Sequence, residues 1–128
     1  MSYMKEYDKK LVSAEEAVGI VKSGDWVDYG HFSCAPTYLD PVLAMMGDEL
    51  KDVKVRAATY PGLAAVAQAD PTREKFCYNN WHFSGGDRML HDKGLCNYIP
   101  LLYHEGVSYM ERFNTTQQCP VRDLHISV

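Results

Sequence analysis

No apolar run in the 128-residue chain approaches the length of a membrane span, and the opening MSYMKEYDKK lacks the apolar centre of a secretory leader. These absences predict a cytoplasmic protein with no membrane partner. Clustered positive charge is also missing: 13 Lys and Arg stand against 17 Asp and Glu, for a formal net charge of -4. Neutralising a phosphate backbone requires a concentrated basic surface, so nucleic acid is excluded as a partner. Cys34, Cys77, Cys96 and Cys119 form no C-x-x-C pair, which favours reduced structural thiols over a disulfide framework or a zinc site. The histidines, His31, His82, His91, His104 and His125, show no H-E-x-x-H or comparable spacing, so no metal is expected. Neither G-x-G-x-x-G nor G-x-x-x-x-G-K-[ST] occurs, which argues against a dinucleotide or ATP site. Asn114-Thr115-Thr116 matches a glycosylation sequon, but without a secretory leader it has no route to modification.

With 46% hydrophobic and 23% charged residues, the chain suits one packed domain. Ser13-Ala14-Glu15-Glu16 has the form of a capping box, followed at helical spacing by Ala17, Val18 and Val21. Ser23-Gly24-Asp25 ends that helix, and Trp26, Val27 and Tyr29 predict a short strand. The small and polar loop from Gly30 to Pro36 follows. Leu39, Val42, Leu43, Met46 and Leu50 then recur at three and four, predicting a helix over 37–50 with Pro41 in its first turn. The alternation continues with a strand over 53–58, a turn at Pro61-Gly62, a short helix or irregular segment over 63–68, and a strand over 75–82. Ser84-Gly85-Gly86-Asp87 resembles a helix start, with Gly94 as the stop. A strand over 98–103, helical character over 107–113 and a strand over 121–128 complete the reading. Such alternation predicts an α/β domain, a mostly parallel sheet flanked by helices.

A loop between a strand and a helix is where open α/β sheets place ligands. The backbone N–H groups of Gly30, His31, Phe32, Ser33, Cys34, Ala35 and Pro36 (the last lacking one) precede a helix N-terminus, which suits a carboxylate or a thioester oxygen; an ordinary βα turn reads the same way. Cys34 lacks any base that sequence brings to it, so a structural thiol is favoured over a nucleophile. Ser84, Gly85 and Arg88 form a second small-residue stretch, with Arg88 able to reach an anion or to pair with Asp87 or Glu105. Glu105 reads as an acid/base group or as a carboxylate that stabilises a helix start, the latter being favoured.

Taken together, EEAVGIVKSGDWVDYGHFSCAPTYLDPVLA, WHFSGGDRMLHDKGLCNYIPLLYHE and VRDLHISV resemble the N-terminal part of the acetyl-CoA hydrolase/transferase family. The resemblance runs from about Leu11 to Val128 and is nearest to the 4-hydroxybutyrate and butyryl-CoA:acetate CoA-transferases of anaerobic bacteria. It implies a NagB/RpiA/CoA-transferase-like fold, no bound cofactor, and an acyl-CoA thioester and a carboxylate such as acetate as substrates. It further implies a glutamate nucleophile that passes through a glutamyl-CoA thioester. Under the resemblance Gly30, His31, Ser33, Cys34, Ala35, Pro36, Ser84, Gly85 and Arg88 are substrate-binding, and the loop lines the acyl or carboxylate end. None of Glu6, Glu15, Glu16, Glu49, Glu74, Glu105 or Glu111 lies in a segment like the family's catalytic one, so no catalytic residue is assigned.

Residues 1–128 are therefore expected to be an incomplete N-terminal domain, inactive alone, whose catalytic C-terminal domain is absent; the end at Val128 within an apolar strand points the same way. Exposed apolar surface on such a half predicts a homo-oligomer. The alternatives are a non-catalytic half-subunit or interaction module, and an acyl-CoA hydrolase.

Overall fold

The computed structural model describes residues 3–106 and the backbone of residues 124–126. Five strands, β1 (Trp26–Tyr29), β2 (Val53–Ala57), β3 (Phe76–Asn80), β4 (Asn97–Tyr98) and β5 (Leu124–Ile126), form one sheet in the order β4-β3-β2-β1-β5. Every pairing is parallel. The first four strands step outward in one direction, and β5 returns to the opposite flank of β1. The strand order thus reverses at β1, which makes its carboxyl end a topological switch point.

The described helices are α1 (Met4–Lys10), α2 (Ala14–Val18), α3 (Leu39–Met45), α4 (Ala65–Ala69) and α5 (Gly85–Asp92). Ser13 caps α2, its Oγ accepting from Glu16 N at 3.1 Å. Ser84 and Asp87 close a reciprocal capping box at α5, with bonds of 3.1 and 2.8 Å. Helix α3 tightens into a 3-10 turn over Met46–Glu49, so the apolar spacing read to Leu50 holds while the hydrogen bonding changes.

Two expectations need correction. The strand over 98–103 shrinks to Asn97–Tyr98: Ile99 N still bonds Asn80 O, but Pro100 has no N–H to continue the ladder, and a 3-10 turn forms at Tyr103–Glu105. The polar N-terminus, given no element by its composition, forms α1; no residue of α1 is buried, and a Glu6–Lys10 pair at 2.9 Å spans one turn. The helix over 107–113 and the strand over 121–128 lie outside the described residues, except that 124–126 pair with β1.

Alternate strand residues face opposite sides. Val27, Tyr29, Val53, Val55, Ala57, Phe76 and Tyr78 pack with Val18, Leu43, Val66 and Leu90 from the helices to form the main core. On the opposite face Asp28, Arg56, Asn79 and Asn97 stand in register. Arg56 donates to both carboxylate oxygens of Asp28, at 2.8 and 3.2 Å, and Asn97 Nδ2 donates to Asn79 Oδ1 at 2.9 Å. Asp28, Arg56 and Asn79 are buried and Asn97 is half-buried, and polar groups are tolerated there because they bond one another.

Asp40 is buried on the apolar side of α3, where it ties three segments together. Its carboxylate accepts from Tyr29 OH at 3.0 Å, Tyr60 OH at 2.8 Å, Ala65 N at 2.6 Å and Val66 N at 3.2 Å. It thereby supplies acceptors to the first turn of α4, whose own N-cap, Ala64, has none. Asp40→Ala leaves two buried hydroxyls and two amides unpaired, and should cost about 3 kcal/mol or more in urea unfolding.

Burial, reinforced by the Asp40 charge, raises the Tyr29 and Tyr60 hydroxyls well above their ordinary value; burial and Asp87 do the same to Tyr78. The unfolded chain releases these protons near pH 10.0 while the folded chain retains them, so stability is complete below that pH and falls above it. The unfolding free energy read in urea should stay level from about pH 7 to about pH 9 and then drop by up to about 4 kcal/mol per pH unit, and Tyr29→Phe or Tyr60→Phe should each lower that slope by about a third. A slope unchanged in both variants would contradict this account.

Candidate functional site at the carboxyl edge

Parallel strands bring their carboxyl ends to one edge, where four described loops meet. The first begins at Gly30, where a Cβ would stand 2.1 Å from the Cys34 carbonyl oxygen, so only glycine lets the loop fold back on itself. Phe32 takes a left-handed φ of 55° within the 3-10 turn Phe32–Cys34, and its N–H reaches Ala58 O at 3.0 Å. The loop after β1 is thereby pinned to the end of β2.

Asn80 braces the next pair of ends. Its fully buried Oδ1 accepts from Thr59 N and His82 N, both at 3.1 Å, while its Nδ2 reaches Tyr78 OH at 3.1 Å. Asp87 adds a second tie, accepting from Tyr78 OH at 3.0 Å and Tyr60 N at 3.2 Å besides its capping bond. At Gly86 a Cβ would stand 1.7 Å from Gly62 O, so the first turn of α5 lies directly on the loop after β2.

An aromatic group sits above the Asp28–Arg56 pair. The Arg56 guanidinium lies 4.8 Å from the Trp81 ring centre, and His31 contacts Trp81 and Tyr103 with ring centres 5.8 Å away in each case. His31 is therefore held by ring contacts, and its backbone O accepts from Cys34 N at 3.0 Å. Two concavities open nearby. One, of about 830 Å³, runs between Tyr7, Leu11 and Ala14 on one side and Ser33, Pro36 and Tyr38 on the other. The second, of about 410 Å³, lies over the ends of β3 and β4 and includes His82 and Glu105.

The structure divides the sequence-predicted residues. Gly30 and His31 are at the switch point, with His31 facing the Trp81–Tyr103 group. Ser33, Ala35 and Pro36 line the larger concavity. Cys34 is exposed, and no hydrogen bond joins its sulfur to an imidazole among the described residues. Ser84 and Gly85 start α5, and the Ser84 hydroxyl is engaged in the capping box. Arg88 is exposed on α5; Asp87 and Glu105 are turned to other partners, and Arg88 has no ion pair among the described residues. Glu105 caps its own turn, accepting from Leu102 N at 3.0 Å. The aromatic group, Asp28–Arg56, Asp40 and Asn80 were not singled out from the sequence. The available cue was a carboxylate or guanidinium placed inside an otherwise apolar segment. Among the described residues no group of three or more His, Cys, Asp or Glu is placed to hold a metal ion, and no helix is long and apolar enough to cross a membrane.

A parallel sheet with helices packed against it and a switch point at β1 defines a domain of the open α/β class. Residues 1–122 match the acetyl-CoA hydrolase/transferase N-terminal domain, and the chain belongs to that family. It is 45% identical over 103 residues to a probable butyrate:acetyl-CoA coenzyme A-transferase of Syntrophomonas wolfei, covering 80% of this chain and 23% of the relative. It is 35% identical over 113 residues to the butyryl-CoA:acetate CoA-transferase of Anaerostipes caccae, covering 88% and 25%. The chain thus spans about a quarter of the length of these curated relatives. The crystal structure of RipA from Yersinia pestis superimposes with a TM-score of 0.68 at 22% identity, over 84% of this chain and 27% of that one, which shows a shared CoA-transferase-like fold.

Thiol reactivity checks the geometry of this edge. Burial, then the nearby Asp87 charge, pushes the Cys96 thiol up to about 12, whereas Cys34 is open to solvent. At about pH 8, Ellman's reagent should label Cys34 at least about 100-fold faster than Cys96, as read by peptide mapping.

Proposed function

We propose that the chain forms the N-terminal domain of a CoA-transferase that moves coenzyme A between a short-chain acyl-CoA and a carboxylate such as acetate. The 45% identity to the Syntrophomonas wolfei relative carries this reading, and the switch point at β1 supports the location of the site. In this reading Gly30, His31, Ser33, Cys34, Ala35 and Pro36 form one wall of the acyl or carboxylate end. Ser84 and Gly85 shape the neighbouring turn, and Arg88 offers an exposed cation to an anionic group.

The reaction needs a carboxylate nucleophile. A glutamate attacks the thioester carbonyl, giving an acyl-enzyme anhydride and expelling CoA thiolate. The thiolate then attacks the glutamyl carbonyl and releases the first acid, leaving a glutamyl-CoA thioester, and the incoming acid takes the CoA by the reverse steps. Within this chain Glu6 is paired with Lys10 on the surface, Glu15, Glu16, Glu49 and Glu74 are exposed, and Glu105 caps a turn. Glu111 lies outside the described residues. We therefore assign the nucleophile to a C-terminal domain within the remaining three quarters of the relatives' length, and read the present chain as inactive alone. Cytoplasmic residence and self-association belong to the same reading.

The family description names hydrolysis beside transfer, so a hydrolase is the second reading. The two share an intermediate and differ in whether water reaches it. A chimera tests both: the matched residues of this chain replace the corresponding stretch of the Syntrophomonas wolfei relative. Exchange of CoA between butyryl-CoA and acetate is expected, while the separate 14.5 kDa chain should keep its mass in butyryl-CoA. A folded chimera that exchanges nothing overturns the transferase reading, and release of CoA without acetate selects the hydrolase.

A further inference from the structure

Asp28 on β1 and Arg56 on β2 face each other across a parallel pairing, and each side chain is only 3% exposed. Arg56 Nη2 donates to Asp28 Oδ2 at 2.8 Å and Nε donates to Oδ1 at 3.2 Å, so the two oxygens grip one edge of the guanidinium and fix its plane. Taking two charges out of water costs about as much as their attraction returns, and a well-packed apolar pair of similar size serves a fold at least as well. Stability therefore gives little reason for the pair. The ring beside it gives a better one.

The guanidinium carbon lies 4.8 Å from the centre of the Trp81 ring, within cation–π range. Trp81 is 2% exposed and packs with Ala58 and Ile99 in a small cluster separate from the main core. The indole also meets His31, with ring centres 5.8 Å apart and planes inclined at 59°, and Tyr103 approaches the same imidazole edge-on at 5.8 Å. The backbone of this loop has its own ties: Gly30 makes the close turn onto Cys34, and Phe32 N donates to Ala58 O at 3.0 Å. The main chain around His31 is thus anchored at the end of β2, and its ring is anchored through Trp81 on the ion pair.

We propose that Asp28 and Arg56 are positioning residues for the site, which set the direction of the His31 ring through the face of Trp81. The proposal rests on the transferase reading, in which His31 belongs to the wall around the acyl or carboxylate end. It adds to that wall two residues that act from beneath it. Lysine cannot take the place of Arg56, because an ammonium is a point charge with neither a flat face for the indole nor a fork for the carboxylate.

The test uses the 128-residue chain labelled with ¹³C and ¹⁵N. The His31 ring protons report the ring currents of Trp81 and Tyr103, while hydrogen exchange at the Phe32 amide reports the loop backbone. Arg56→Lys should move the His31 ring resonances toward those of histidine in an unstructured peptide, with Phe32 exchange changed by no more than about twofold. Asp28→Leu combined with Arg56→Met, which removes both charges together, should fold and show the same movement. In a Trp81→Leu background, Arg56→Lys should have no further effect on His31, since both changes then act on one route. In the chimera, Arg56→Lys should raise KM for acetate at least about threefold while kcat stays within about twofold. The proposal is overturned by unmoved His31 resonances in a folded variant, by Phe32 exchange that quickens along with them, or by failure of both variants to fold. An undiminished effect without Trp81, or an unchanged KM in an active chimera, overturns it equally. A parent chimera that exchanges nothing, alongside chain spectra as expected, would defeat the transferase reading and leave the hold on the His31 ring.

Discussion

The structure depends on buried carboxylates that tie down the carboxyl edge of a parallel sheet. Strands that all run one way deliver their loops to the same edge, and those loops have no hairpin partners to hold them. Asp40 answers this by joining β1, the loop after β2 and the first turn of α4 through one side chain. Asp87 does the same between β3, the loop after β2 and α5. Each carboxylate meets polar groups that burial would otherwise leave unpaired, so its desolvation cost is offset by several short bonds. Remove either, and the loops lose their common reference.

The opposite face of the sheet follows a different rule. A sheet covered on both faces is normally apolar on both, yet here the second face carries Asp28, Arg56, Asn79 and Asn97 in register. A buried ion pair of this kind contributes little net stability compared with well-packed apolar residues. Its effect is on position. Bidentate bonding holds the Arg56 guanidinium, the guanidinium faces Trp81, and Trp81 with Tyr103 fixes the ring of His31 at the switch point. A residue of the loop after β1 is thus located by charges set well below it.

Much of this architecture was legible because local rules and packing agreed. The alternation at Trp26–Tyr29, the caps at Ser13 and Ser84 and the three-and-four spacing from Leu39 all mark elements whose sequence preference matches their burial. The failures lie where long-range contacts decide. Met4–Lys10 is a helix with no buried face, so hydrophobic periodicity carried no trace of it. Residues beyond Tyr98 look strand-like, but Pro100 cannot extend the ladder. At the site, the Gly30 and Ser84 loops were visible as small residues between elements. Asp28–Arg56 and the rings around His31 were not, because their meaning depends on a strand register that no local spacing encodes.

Charge cancellation at this edge limits what the domain does by itself. Asp28 is neutralised by Arg56, and the Asp40 and Asp87 carboxylates are enclosed by hydroxyl and amide donors. Arg88 is exposed on α5, on a chain whose formal net charge is -4. Among the described residues no broad positive patch forms at this edge to draw in a polyanion, since steering needs charge of one sign gathered over a patch. An anionic cosubstrate is therefore, in the transferase reading, oriented here by short-range hydrogen bonding and shape. In the transferase reading, the phosphates of coenzyme A must find their main electrostatic hold outside these residues, and this wall selects among the neutral and singly charged parts that reach it.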